Sequence, residues 1–385
     1  MDNKFTVAHS LFCWLPLTMT WVYNQLKYLE KFNSIVIAYN LQKIEYFPWK
    51  PLYISEVNRY RHLLSRIMRR LYLRSYPFVY DDAIRRCKPV ILHSHFGDKG
   101  WYDLPIAKKY KLKHIVTFYG YDVNMLLTQQ PVWKERYKKL FDNADLFLCE
   151  GPHMARCLVK LGCAEEKIKA QRLGVEIGNI PFILRKIEND RLVRILIVGT
   201  FREKKGIPYA LEAIGILRER YPNIIVTVIG DSNGQEREER EKEKILNTIK
   251  HYNLEGVVRL LGFQPYHVLM EEICKHHIYL SPSITSSDGD TEGGAPVSII
   301  EASASGMPII STWHCDIPEV IKDGETGILV GERDVDAIVK ALDDLINDPQ
   351  QWQHFGIAAR QRIESMFDVR ILIKDLENIY WQVLS

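Results

Sequence analysis

Two carboxylates, Glu292 and Glu301, stand nine positions apart in SSDGDTEGGAPVSIIEASASGMPIIST, residues 286–312, on either side of a glycine pair and a proline. Carboxylates accept hydrogen bonds and suit the hydroxyls of a sugar or ribose. Pro296 suits the first turn of a helix, PVSIIEASAS, that Gly306 ends, which puts Glu301 on the helix and Glu292 in the loop before it. Gly293, Gly294, Ala295, Pro296 and Val297 then make a small-residue helix N-terminus, whose backbone N–H groups attract anions. A basic loop lies upstream. In RILIVGTFREKKGIPYALEAIGILRERY a buried-strand pattern runs into a turn at Gly199 and Thr200, then Arg202, Lys204 and Lys205, with Pro208 opening the next helix. A phosphate or diphosphate fits such a turn, although the same residues taken alone also read as a solvated basic turn. Neither G-x-G-x-x-G nor G-x-x-x-x-G-K-[ST] is matched, so a dinucleotide dehydrogenase lacks its fingerprint.

Positioning these loops requires strands that end beside them. Short apolar runs occur at KFTVAHS, SIVIAY, VILHSHF, HIVTFYG and LFLCEG, and again at RILIVGT, IIVTVIGD, VVRLLGF, IYLSPSI, PIIST and GILV, with helix-like segments such as WVYNQLKYLEKF and PHMARCLVKLG between them. Strands alternating with helices predict parallel, doubly wound sheets, here twice. A length of 385 residues favours two domains. The polar stretch RKIENDR, 185–191, reads as the linker, giving domains at 1–184 and 192–366. Ligands are expected where strands end, in a cleft between two facing sheets. In the first half HSHFGDKG and VTFYGYD each end a strand. There His95, Tyr119 and Asp122 are candidates for hydrogen-bonding a ligand in the cleft, Gly97 for close backbone approach to it and Glu150 for facing it; each alone also reads as a core-edge polar residue, and Glu150 as a local cap.

Several classes of function are excluded or weakened. A net charge of +3 is too small to point to nucleic acid. Seven cysteines without a Cys-x-x-Cys pair read as reduced thiols of a cytoplasmic protein. The apolar N-terminal stretch FTVAHSLFCWLPLTMTWV is interrupted by His9, Ser10 and Pro16 and lacks a cleavage signature, so it reads as a first strand and loop. Asp288 and Asp290 form an Asp-x-Asp pair of the kind that can hold a metal, but in a glycine-rich loop they read as a solvated turn, and no metal is expected. QEREEREKEK, 235–244, reads as a solvated helix. RYRHLLSRIMRRLYLRSY, 59–76, interleaves arginines with leucines, a pattern for an anionic membrane surface or for a surface helix packed on its own domain.

Together VGTFREKKG, EGGAPVSIIEASASGMPIIST, IPEVIKDGETGILV, HSHFG and VTFYGYD resemble the retaining nucleotide-sugar glycosyltransferases of family four, which have the GT-B fold of two Rossmann-like α/β domains facing a central cleft. The resemblance runs from about residue 90 onward. It implies a nucleoside diphosphate sugar as donor, UDP or GDP type, with no obligatory cofactor, and a saccharide or lipid-linked acceptor. It implies that Lys205, helped by Arg202, binds the diphosphate, that Glu301 binds ribose hydroxyls and that Glu292 approaches the transferred sugar. It also implies that the segment 367–385 packs back on the first domain, where acceptors bind. Three departures stand out. Thr200 occupies the place of the family's first loop arginine, Tyr119 that of a histidine, and eight residues rather than seven separate the glutamates. An added residue on a helix would swing a side chain by about 100°; before Pro296, Gly293 and Gly294 allow it to be absorbed as a bulge. A non-catalytic partner in polysaccharide assembly and a sugar-nucleotide epimerase remain alternatives.

Overall fold

The computed structural model describes all residues except 1–3, 17–18 and 72. Positions 17–18 of the apolar N-terminal stretch and Tyr72 of the basic stretch therefore lie outside the described residues. The chain divides into two compact units, Met1–Gly174 with Val369–Ser385, and Val175–Asp368.

In the first unit the strands are β1 (Thr6–Trp14), β2 (Asn33–Leu41), β3 (Leu52–Ile54), β4 (Ile91–His95), β5 (Lys113–Thr117), β6 (Leu146–Cys149) and β7 (Ile168–Ala170). They form one parallel sheet in the order β3-β2-β1-β4-β5-β6-β7. Its helices are α1 (Thr20–Lys27), α2 (Arg59–Arg70), α3 (Phe78–Cys87), α4 (Gly97–Tyr110), α5 (Met125–Gln129), α6 (Val132–Asn143) and α7 (Pro152–Lys160). The second unit has β8 (Val193–Val198), β9 (Ile224–Ile229), β10 (Val258–Leu260), β11 (Ile278–Ser281), β12 (Ile309–Thr312) and β13 (Ile328–Val330). Their order is β10-β9-β8-β11-β12-β13, again parallel. Its helices are α8 (Ile207–Arg218), α9 (Glu236–His251), α10 (Tyr266–Lys275), α11 (Val297–Ala304), α12 (Ile317–Val320), α13 (Val335–Asn347) and α14 (Gln350–Met366). The last helix, α15 (Val369–Leu384), returns to the first unit.

Burial on both faces explains why the strands read as unbroken apolar runs. In β8, Val193, Ile195 and Ile197 pack with α8 and α13, while Leu196 faces the other way into a core shared with α11. Strand order reverses between β1 and β4 and between β8 and β11, and at such switch points the loops after the strands open a crevice for ligands. α15 packs Ile373, Leu376 and Tyr380 against Val7, Ile91 and Leu148, and Glu377 accepts the backbone N–H groups of Glu30 (2.7 Å) and Lys31 (2.6 Å).

Residues 185–191 are not the boundary. The chain crosses at Gly174 and Val175, because the segment after it is held in the second unit: Ile177 and Ile180 join the core with Ile363 and Phe367, and Ile183 N–H bonds the Ser305 carbonyl at 3.0 Å. Arg185, 3% exposed, donates to the carbonyls of Ile273 and Ser305, which closes the C-terminal ends of α10 and α11. β3 and β7, three residues each, lie at the two edges of the first sheet.

Candidate active site

The loop after β8 is shaped by its glycines. Gly206 sits at φ +63°, and a Cβ there would lie 1.9 Å from the Pro282 carbonyl oxygen, so the turn closes against the loop after β11 only with glycine. The Ile284 N–H bonds the Lys204 carbonyl at 2.9 Å and fastens the two loops together. At Gly199 the missing side chain lets Lys205 lie across the turn, since a Cβ would come within 3.1 Å of the lysine methylenes. Thr200 turns its carbonyl to the Arg202 N–H at 2.7 Å.

This fold aims Lys205 at Glu292. Its ammonium stands 2.9 Å from the carboxylate, Ser283 donates to the same group at 2.9 Å, and Lys204 lies 3.9 Å away. Burial alone would raise the Glu292 pKa, but Lys205 and Lys204 overrule it and hold the group at about 2, so it is ionised. The loop is further anchored by His314, whose Nε2 accepts the Glu292 N–H at 3.1 Å and whose Nδ1 lies 2.7 Å from Glu332. Gly293 takes φ +80°, and its N–H turns back to the Thr291 hydroxyl at 3.2 Å. Gly294 needs no left-handed conformation; its carbonyl accepts the Asp316 N–H at 3.4 Å.

Pro296 is the N-cap of α11, and no side chain caps it. The N–H groups of Val297 and Ser298 therefore have no protein acceptor among the described residues, leaving an open helix N-terminus beyond Ala295. One turn on, Glu301 is buried, with the Tyr266 phenol acting on it. Burial raises its pKa to about 7. Glu301 and Glu292 both act on the buried phenol of Tyr279, which bonds Ser298 at 2.8 Å, so the two carboxylates flank the start of the same helix.

Two earlier expectations fail here. Asp290 is not in a solvated turn: it is 3% exposed, 3.2 Å from Lys204 and 3.3 Å from Arg202, while Arg237 lies 3.6 Å from Asp288. Nor is the 235–244 helix wholly solvated, because Glu238 is buried, accepts the Asn233 N–H at 2.7 Å and stands 3.6 Å from Arg202. Turn chemistry and alternating charge mark exposure only when no cation from elsewhere arrives to neutralise the carboxylates. Arg202, Lys204 and Arg237 thus stand at ion-pair distance from these two carboxylates. The charges of Arg202, Lys204, Lys205 and Arg237 balance those of Glu238, Asp288, Asp290 and Glu292.

In the first unit the residues at the strand ends form a neutral chain instead. His95, the last residue of β4, places Nδ1 2.7 Å from the Tyr119 hydroxyl and Nε2 3.1 Å from Nδ1 of His9 on β1. His93 bonds Tyr380 at 2.7 Å and Thr117 at 2.6 Å. Burial drives His95 down to about 3 and lowers His9 and His93, so all three imidazoles are neutral. His9 Nε2 is buried without a partner. A bare lone pair there costs less than an orphan N–H. The tautomer that follows has His9 Nδ1–H donating to His95 Nε2 and His95 Nδ1–H donating to Tyr119, which directs the phenol proton away from His95. The ligand atoms of this histidine trio lie within 4.8 Å of one another, yet every ring nitrogen except His9 Nε2 is engaged and the His93 and His95 rings stack at 4.5 Å, which does not suit a shared metal.

Asp122 serves the backbone: it accepts the N–H of Gly97 at 2.7 Å and of Tyr119 at 3.0 Å, and burial raises its pKa to about 7. It ties the two strand-end loops together. Gly97 is small for Phe118, whose ring would lie 2.1 Å from a Cβ. Glu150 is 9% exposed and adds to the upward shift of Tyr119. Sequence reasoning missed Ser283, His314, Tyr266 and His9, which no local motif marks, and read Asp290, two positions before Glu292, as part of a solvated turn.

Comparison with known proteins agrees with this geometry. The pattern of the Glycosyl transferases group 1 family matches residues 179–362, and that of Glycosyltransferase Family 4 matches residues 20–178. The chain is 32% identical over 289 residues to the amylovoran biosynthesis glycosyltransferase AmsK of Erwinia amylovora, covering 74% of this chain and 68% of that one. It is 30% identical over 293 residues to the putative colanic acid biosynthesis glycosyltransferase WcaL of Escherichia coli K12, covering 74% and 69%. In fold it is similar to sucrose-phosphate synthase of Thermosynechococcus elongatus (TM-score 0.77, 16% identity, 99% of each chain) and to Anabaena Alr3699/HepE solved with UDP-glucose (TM-score 0.77, 12% identity, 98% and 100%). Paired parallel sheets, a basic loop at one switch point and this descent place the chain in the family-four glycosyltransferases of GT-B fold.

Proposed function

We propose that this glycosyltransferase moves a sugar from a nucleoside diphosphate sugar, UDP or GDP type, to a saccharide or lipid-linked acceptor during cell-surface polysaccharide synthesis, with retention of configuration. The observation that carries this reading is the Lys205–Glu292 pair, 2.9 Å apart, beside the open N-terminus of α11 at the β8/β11 switch point. Every cation of the loop is already balanced, so a diphosphate brings surplus negative charge and takes Lys205 from Glu292. The freed carboxylate turns to the hydroxyls of the transferred sugar. Glu301, ionised above its pKa of about 7, accepts from the ribose hydroxyls. As the bond to the leaving phosphate breaks, Lys205, Arg202 and the helix N-terminus stabilise the developing charge. The leaving phosphate oxygen takes the proton of the acceptor hydroxyl on the same face, and Tyr119 donates its outward hydrogen bond to the sugar. No resident metal is required in this scheme. Chemistry on the cytoplasmic side, at the inner face of the cell membrane through helix α2, completes the reading; no helix among the described residues is long and apolar enough to cross a membrane.

A thermal-shift panel of UDP, GDP, ADP, CMP, dTDP and NAD, each with and without magnesium, tests the proposal, since a ligand of the native state raises its melting temperature. One diphosphate should raise it regardless of magnesium, and Glu301→Ala should abolish the shift. Silence across the panel would turn the reading toward a non-catalytic assembly partner.

A further inference from the structure

A groove of about 1600 Å³ runs along the first unit between α2 and α4. Residues of both helices line it, Arg69 of α2 and Tyr102 of α4 among them. From α2 come Leu63, Arg66, Ile67 and Arg70, spaced i, i+3, i+4 and i+7 on a single face. From α4 come Trp101, Leu104, Pro105 and Lys108, in the same spacing, with Lys111 following. On α2 the cations alternate with the apolar residues, and on α4 Lys108 and Lys111 follow Trp101, Leu104 and Pro105. Arg66, Arg70, Lys108 and Lys111 have no carboxylate at ion-pair distance among the described residues, and the one acidic residue of the lining, Asp145, stands 3.3 Å from Lys113. Leu63 (55%) and Ile67 (47%) remain largely exposed on a helix whose packing would otherwise hide them.

We propose that this groove binds the phosphate end of a single-chain lipid, with the chain along Leu63, Ile67, Trp101 and Pro105 and the phosphate among Arg66, Arg70, Lys108 and Lys111. Apolar surface and unpaired cations in one concavity match the two ends of such a molecule. The groove deepens the proposed transferase function by naming the lipid-linked class of acceptor, and rests on that reading for its purpose but not for the binding.

Flotation of the full chain with vesicles tests it. Neutral phosphatidylcholine vesicles carry either a low mole fraction of a polyisoprenyl phosphate or enough phosphatidylglycerol to match its surface charge. The polyisoprenyl phosphate vesicles should capture the protein at about tenfold lower lipid concentration, a difference of about 1.4 kcal/mol. Lys108→Glu with Lys111→Glu, both exposed, should remove that preference, while the same charge change at exposed Lys250 and Lys340 should not. Equal capture by both vesicle types, no capture, or equal behaviour of the two double variants overturns the proposal. The nucleotide thermal shift of each variant reports folding, and its absence from the unaltered protein would defeat the transferase reading while leaving the lipid result intact.

Discussion

The two units repeat one strand order around their switch points and fill the crevice with opposite chemistry. After β8 and β11 the second unit stores full charges in tight balance, Lys205 and Lys204 against Glu292 and Asp290. After β4 and β5 the first unit holds neutral imidazoles and phenols linked head to tail. A shared topology sets where a ligand meets the sheet, whereas side chains decide whether the site waits for an anion or for a hydroxyl.

The sharpest break of this contrast is Lys205→Ala. Removing the cation aimed at the leaving phosphate should lower kcat/KM by about 10²–10³-fold, the scale of losing one preorganised donor to developing charge. It also strands Glu292 in a buried position with only Lys204 near, so donor binding measured by calorimetry should fall together with turnover; full turnover would dismiss the diphosphate assignment.

Acid should separate the units next. Histidines at 9, 93 and 95 have folded pKa values below the ordinary 6.5, so below that pH the unfolded chain takes up protons that the native state refuses. Each contributes stability that is complete above pH 6.5 and is lost as pH falls toward its lowered value, by about 1.4 kcal/mol per pH unit. Glu292, depressed to about 2, contributes stability that persists until pH drops below the ordinary carboxylate range. Hydrogen exchange near pH 5 should therefore open the first sheet ahead of the second; simultaneous opening would mean the histidines are not held neutral.

Smaller effects sharpen the picture. Tyr119→Phe removes the outward hydrogen bond but keeps the ring against Trp21 and Phe96, and should reduce kcat about tenfold with little change in donor Kd. Tyr119→His should restore most of it. Thr200→Arg adds a charge-assisted donor at the start of the basic loop and should tighten nucleoside diphosphate binding about threefold to tenfold; no gain in a titration would show that Arg202 already does this work.

What the sequence made legible follows from burial. β8 and β11 announce themselves because both faces of each strand are covered, while β3 and β7 are too short for any period to show. Glu301 and Lys205 were readable from local motifs. His9 was not, since its partner His95 lies 86 positions away and only the β1–β4 pairing brings them together. Arg185 looked like linker for a related reason: an arginine held by distant carbonyl oxygens and the Ser305 hydroxyl leaves no trace of its burial in the neighbouring residues.

The helix after Val369 belongs to the unit that is synthesised first. Until a ribosome has made the whole second unit and then α15, His93 lacks Tyr380 and the backbone at Glu30 and Lys31 lacks Glu377. During translation the earlier unit must wait with one side of its sheet uncovered while the later one, continuous in sequence, can fold as it emerges. Order of manufacture and order of completion are thus reversed in this chain.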